Sequence, residues 1–173
     1  MSFEKFIISF GNLLKQARKK RSLTLYELAY KSDIVADHIQ KIESAKHGSI
    51  QLETYAKLLT GLNLSLSFHD ISTKKLISLS NEEETFIHNL FFGISKDTDL
   101  QFLNQKPTLL LLHIATEVQK NRKLLGLTQK ELAKKSQLSN TTIVRIEEGK
   151  HDFRLETLYK LSQVLYPEKK LFV

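Results

Sequence analysis

The chain has 173 residues, 41% hydrophobic and 26% charged, with 26 Lys and Arg against 19 Asp and Glu for a net charge of +7. This is the composition of a soluble globular protein of one ordinary domain or two small ones, and it excludes disorder over most of the length. With no cysteine there is no disulfide, thiolate zinc site or cysteine nucleophile, and no apolar run reaches the roughly 18 residues of a membrane span. The first residues turn from acidic to basic, the reverse of a secretory signal, so a cytoplasmic location without membrane contact is expected.

From Phe3 to Lys20, apolar residues recur at Phe6, Phe10, Leu13, Leu14 and Ala17, a spacing that places them on one face of a helix. The helix ends in the basic cluster Arg18 to Arg21, favourable to a helix C-terminus. The following stretch from Ser22 to Leu59 repeats a later part of the chain. Next, Leu62, Leu64, Leu66 and Phe68 alternate with Asn63, Ser65, Ser67 and His69. That period of two predicts a short strand with one apolar face. Its pairing partner is open: Lys75 to Leu79 through a hairpin, the final Lys170 to Val173, or the same strand in a second chain. Ser80 and Glu83 cap a linker helix carrying Phe86, Ile87, Leu90 and Phe91 up to Gly93. Residues 96–106 read as a loop or short helical turn, and Pro107 or Thr108 opens a long helix to Leu125, stopped by Gly126.

The most informative stretch is Thr128 to Gly149. Thr128 and Glu131 make a second capping box, Leu132 and Ala133 share a face, Leu138 occupies a break, and Ser139 caps a second helix with Ile143 and Ile146 inside. Gly149 supplies its left-handed end. A short helix, a tight turn and a second short helix are the pattern of a helix-turn-helix. At an offset of 104, Leu23, Thr24, Glu27, Leu28 and Ala29 coincide with Leu127, Thr128, Glu131, Leu132 and Ala133, and Ile39, Ile42 and Glu43 with Ile143, Ile146 and Glu147. After a one-residue gap, Leu52, Glu53 and Thr54 match Leu155, Glu156 and Thr157. This is an internal duplication.

The run from Val118 to Leu165, with TQKELA, SNTTIVRIEEGK and LETLYKL in order, resembles the Xre/Cro-like, lambda-repressor-like helix-turn-helix family. The expected fold is therefore mainly α: two such modules (3–61, degenerate, and 107–173) joined by residues 62–106, with a short β-strand or hairpin and the linker helix. The resemblance implies that Asn140 to Glu148 lies in the DNA major groove, with Asn140, Thr141 and Arg145 at base-reading positions. Arg145 has a base, a phosphate or nearby acids open to it. Gln129 is implied at a phosphate beside a helix N-terminus. Ser139 and Thr142 complete the exposed first turn, while Lys150 and Arg154 fit phosphate clamps. The resemblance also implies two structural ion pairs, Arg18 with Glu43 and Arg122 with Glu147.

The first copy carries different chemistry: Leu25 for Gln129, Val35 for Ser139, Ala36 and Asp37 for Asn140 and Thr141, Lys41 for Arg145, and Ala45 for Gly149. An aspartate is repelled by phosphates unless it accepts from a cytosine amino group. The second copy is the expected DNA-reading half, and residues 107–173 hold twelve basic and seven acidic side chains. Together these features predict a repressor-like regulator that binds double-stranded DNA as a homodimer. The alternative is an antitoxin-type protein that binds a toxin-like partner through the first copy or the aromatic linker and autoregulates on DNA. The second reading requires Phe86, Phe91, Phe92 and Phe102 to stay partly exposed. His47 and His151 recur at equivalent turns, a structural role. With no metal-spaced cluster, activated nucleophile or glycine-rich phosphate loop, neither an enzyme nor a metal or other cofactor is expected.

Overall fold

The computed structural model describes residues 1–46, 48–73, 79–93 and 100–166. Its helices are α1 (Phe3–Lys20), α2 (Leu25–Ser32), α3 (Ala36–Glu43), α4 (Leu52–Gly61), α5 (Asn81–Leu90), α6 (Pro107–Leu124), α7 (Gln129–Ser136), α8 (Asn140–Glu148) and α9 (Leu155–Leu165), with a 3-10 helix at Leu100–Gln105. The capping chemistry sets most of the starts. Thr24, Ser80 and Thr128 each accept from the third helical N–H while the glutamate there returns to the cap's own N–H, satisfying two orphan donors at once.

Helices α1 to α4 and α6 to α9 form two halves of like construction. In each, an arginine near the end of the first helix reaches a glutamate at the end of the third. Arg18 Nε donates to Glu43 Oε1 at 2.6 Å, and Arg122 Nε to Glu147 Oε1 at 2.6 Å. The same arginines hold the following loop through Nη1, to the Leu23 and Leu127 carbonyls, at 2.8 Å in both cases. Asp33 and Gln137 end α2 and α7 with left-handed backbones, φ 55° and 56°. Leu28, Ile39 and Ile42 in one half, and Leu132, Ile143 and Ile146 in the other, lie in a single hydrophobic core that runs through both halves.

The strand expected at Leu62 to Phe68 does not form; among the described residues there is no strand or sheet, only isolated bridges. The alternation has another origin. Asn63 and Phe68 adopt positive φ, 56° and 62°, so the chain doubles back at once. Ser65 N–H bonds the His69 carbonyl at 2.9 Å, and Leu64 bridges Asp70. Leu62, Leu64, Leu66 and Phe68 are all fully buried, plugging the base of the first half. The Tyr55 hydroxyl donates to the Leu66 carbonyl, and Phe68 meets Phe10 edge-on. A buried irregular loop can alternate like a strand because solvent-facing polar groups are replaced here by internal hydrogen bonds, such as His69 N–H to Ser65 Oγ. Residues 75–78 and 170–173, named above as pairing partners, lie outside the described residues, as do His47 and residues 94–99.

The linker is packed into the molecule. Phe86 stacks between Phe6 of α1 and Tyr159 of α9, at 4.5 Å and 5.6 Å between ring centroids. Phe86, Phe91 and Phe92 are buried and Phe102 is half-buried, so three of the four aromatics named for a partner site are withdrawn from the surface. Asn104 of the 3-10 helix, itself buried, donates to the Leu64 carbonyl and to Thr60.

Candidate nucleic-acid interface

Helices α7 and α8 present a compact unit whose inner face is apolar and whose outer face is polar. Leu132, Ala133, Ile143 and Ile146 are buried. The turn between them is held by Gln137 in the left-handed region and by the Leu138 N–H donating to the Ala133 carbonyl at 2.9 Å. Ser139 Oγ then accepts from the Thr142 N–H at 3.0 Å, which starts α8. Gly149 ends α8 at φ 67°, where an added Cβ would also lie 3.1 Å from Leu112 Cα; only glycine satisfies both the backbone and the packing.

This geometry leaves Asn140 and Thr141 exposed on the first turn of α8 and Arg145 exposed in its last, with Lys150 exposed just beyond it and Arg154 exposed at the start of α9. Of these residues, Arg145 and Arg154 line one cleft together with Thr142. The remaining three residues are more occupied. Ser139 and Thr142 bond each other through their hydroxyls at 2.8 Å. Gln129, half-buried at the start of α7, turns its amide to Glu147 Oε2 at 2.9 Å.

Glu147 thus ties three helices together. It receives Arg122 from α6 and Gln129 from α7 while standing on α8. Burial alone would push its carboxyl up, but the hydrogen bonds from Arg122 and Gln129 prevail and hold it below the usual carboxylate range. Arg122 is raised correspondingly by its hydrogen bond to Glu147. The outer face of α8 is consequently carried on a rigid base.

The junction of the two halves has no counterpart among the sequence expectations. The Leu52 N–H donates to the Phe153 carbonyl and the Leu155 N–H to the Ile50 carbonyl, both at 2.8 Å, with Gln51 bridging Arg154 in antiparallel sense. Asp152 crosses the junction to accept from the Glu53 N–H at 3.2 Å, supplying the first turn of α4 with the side-chain cap that Gln51 does not give. Burial pushes the Asp152 carboxyl up, against the opposing effect of N–H donors from Glu53 and Phe153. The available signal is that α4 and α9 both start without a local side-chain cap, leaving donors for something else to satisfy.

Residues 118–165 match the family model described as Helix-turn-helix. That stretch is a helix-turn-helix of the DNA-binding kind, consistent with a transcriptional regulator. The match covers one copy; it does not extend to the first half, whose likeness rests on the geometry above. Comparison with curated proteins and with solved structures returns no match. No helix among the described residues is long and apolar enough to cross a membrane.

Proposed function

We propose that the protein is a sequence-specific DNA-binding regulator of repressor-like action, with α8 in the major groove. The observation that carries the reading is the exposed side of α8, with Asn140 and Thr141 on its first turn and Arg145 in its last, on a scaffold held by the Arg122–Glu147 pair. Asn140 and Arg145 discriminate bases by donor and acceptor pattern. Lys150 and Arg154 attract phosphates without regard to sequence, as does Gln129 once its amide leaves Glu147. Selection of bound sequences from a random duplex pool tests this with the intact chain. An enriched motif whose binding is weakened by Asn140→Ala and Arg145→Ala supports it. Weak binding without a motif, abolished by salt, would leave only charge attraction.

A second reading, an antitoxin-type protein with a protein partner, draws support from one feature of the first half. Tyr26 and Tyr30, one turn apart on α2, are 80% and 91% exposed, and Val35 at the start of α3 is 74% exposed. Large apolar groups grouped on a surface suit a protein contact. Loss of DNA binding with Tyr26→Lys and Tyr30→Lys would instead assign this face to the DNA.

A further inference from the structure

The residues at the junction are equivalents of one another. In the register of the duplication, Ile50, Gln51 and Leu52 correspond to Phe153, Arg154 and Leu155. The two hydrogen bonds are therefore reciprocal: each leucine N–H reaches the carbonyl of the other half's counterpart of residue 50 or 153, both at 2.8 Å. Equivalent residues bonding each other in both directions is the signature of an isologous, two-fold interface. The surrounding packing follows the same rule, since α4 touches α6 while α9 touches α1 through the stacked Tyr159 and Phe3 rings. A two-fold axis through Gln51 and Arg154 places α3 and α8 at the same height along it. Accordingly, two clefts open on either side of these residues. One, of about 560 Å³, is lined by His38 of α3; the other, of about 230 Å³, by Thr142 and Arg145 of α8.

From this we infer that a single chain is a complete two-headed DNA-binding unit, bound one to one on a site with two unlike half-sites, of which α3 reads the second. The inference rests on the DNA-binding function proposed above. The surface of α3 is suited to this role despite its aspartate. Lys41 Nζ lies 2.6 Å from Asp37 Oδ2, and both side chains are more than half exposed. The pair is neutral overall, which removes the repulsion a lone carboxylate meets near phosphates. It also sets an acceptor beside a donor one helical turn away. A C·G pair offers the complement in the major groove: the cytosine amino group donates, and guanine O6 and N7 accept. The half met by α8, with Asn140, Thr141 and Arg145, has no such carboxylate, so the two half-sites differ.

The test uses the full chain on the duplex enriched from a random pool, with native mass measurement of the complex and repeat selections with Asp37→Ala, Lys41→Ala and Arg145→Ala. The expected complex contains one chain per duplex. Its motif has two different blocks about one helical turn apart. Asp37→Ala and Lys41→Ala relax a C·G preference in one block, on the order of tenfold, and Arg145→Ala alters only the other. Two chains on a palindrome, or a single block indifferent to Asp37 and Lys41, would overturn the inference while leaving the DNA-binding function standing. No enriched motif would remove that function, and the inference with it.

Discussion

The two halves share a scaffold and differ in what they show to solvent. Each has the arginine–glutamate tie, the capping box and the left-handed residue before its third helix, yet the side chains differ at several equivalent outer positions. Lys130 and Lys134 of α7 correspond to Tyr26 and Tyr30 of α2, and Asn140 and Thr141 of α8 to Ala36 and Asp37 of α3. Interior positions answer to packing and buried charge, which tolerate little; exposed ones answer only to a partner. A duplicated fold can therefore keep its construction while its two faces take on separate tasks.

The largest expected effect tests the shared part. Arg122→Ala leaves Glu147, whose side chain is 4% exposed, without its cation and should cost about 3–5 kcal/mol in chemical denaturation. Arg18→Ala should cost a similar amount through Glu43, 5% exposed; a cost confined to one half would break the equivalence. On the differing part, Asn140→Ala and Arg145→Ala should each reduce affinity for the selected DNA by about 1–3 kcal/mol with stability unchanged, while Lys150→Ala should lower the salt slope by about 1 at every sequence.

A smaller contrast lies at the end of the third helix. Ala45 and Gly149 occupy the same left-handed place, φ 54° and 67°. Ala45→Gly should stabilise by about 1 kcal/mol by relieving that backbone. Gly149→Ala should destabilise by more, since its Cβ also meets Leu112. Urea midpoints of the two variants decide whether the halves differ here as described.

The titrations of Glu147 and of Asp152 at the junction run in opposite senses. Glu147 is held below the ordinary 4.5, so its stabilisation is complete above that value and is lost as pH falls through the folded-state pKa. Asp152 is raised above the ordinary 3.8; the folded chain holds that proton more tightly, so stability falls as pH rises through the raised value. Asp152→Asn should flatten only the second limb of a stability–pH curve, and Glu147→Gln only the first.

Much of this molecule is legible in its residues alone. The capping boxes at Thr24, Ser80 and Thr128 locate helix starts because their chemistry is local: the donors and acceptors lie three residues apart. The exposed face of α8 comes from the same short-range signals. At Leu62 to Phe68, alternation reports the buried apolar side chains but neither the conformation nor the burial of Ser65, since period two says nothing of how the backbone folds between them. The first half is also short of turn signals, with Val35 and Ala45 in place of Ser139 and Gly149. It nevertheless adopts the same turns, because core packing outweighs the roughly 1 kcal/mol that a missing cap or a strained residue costs.

Local chemistry in the sequence determined the helices, the duplication and the polar face that marks the second half. The tertiary structure alone decided how the halves meet. The bonds at Leu52 and Leu155 join backbone groups whose donors and acceptors are the same in every residue, so no side-chain pattern announces them, and only the folded arrangement of α4 and α9 brings residues about a hundred positions apart into two-fold register.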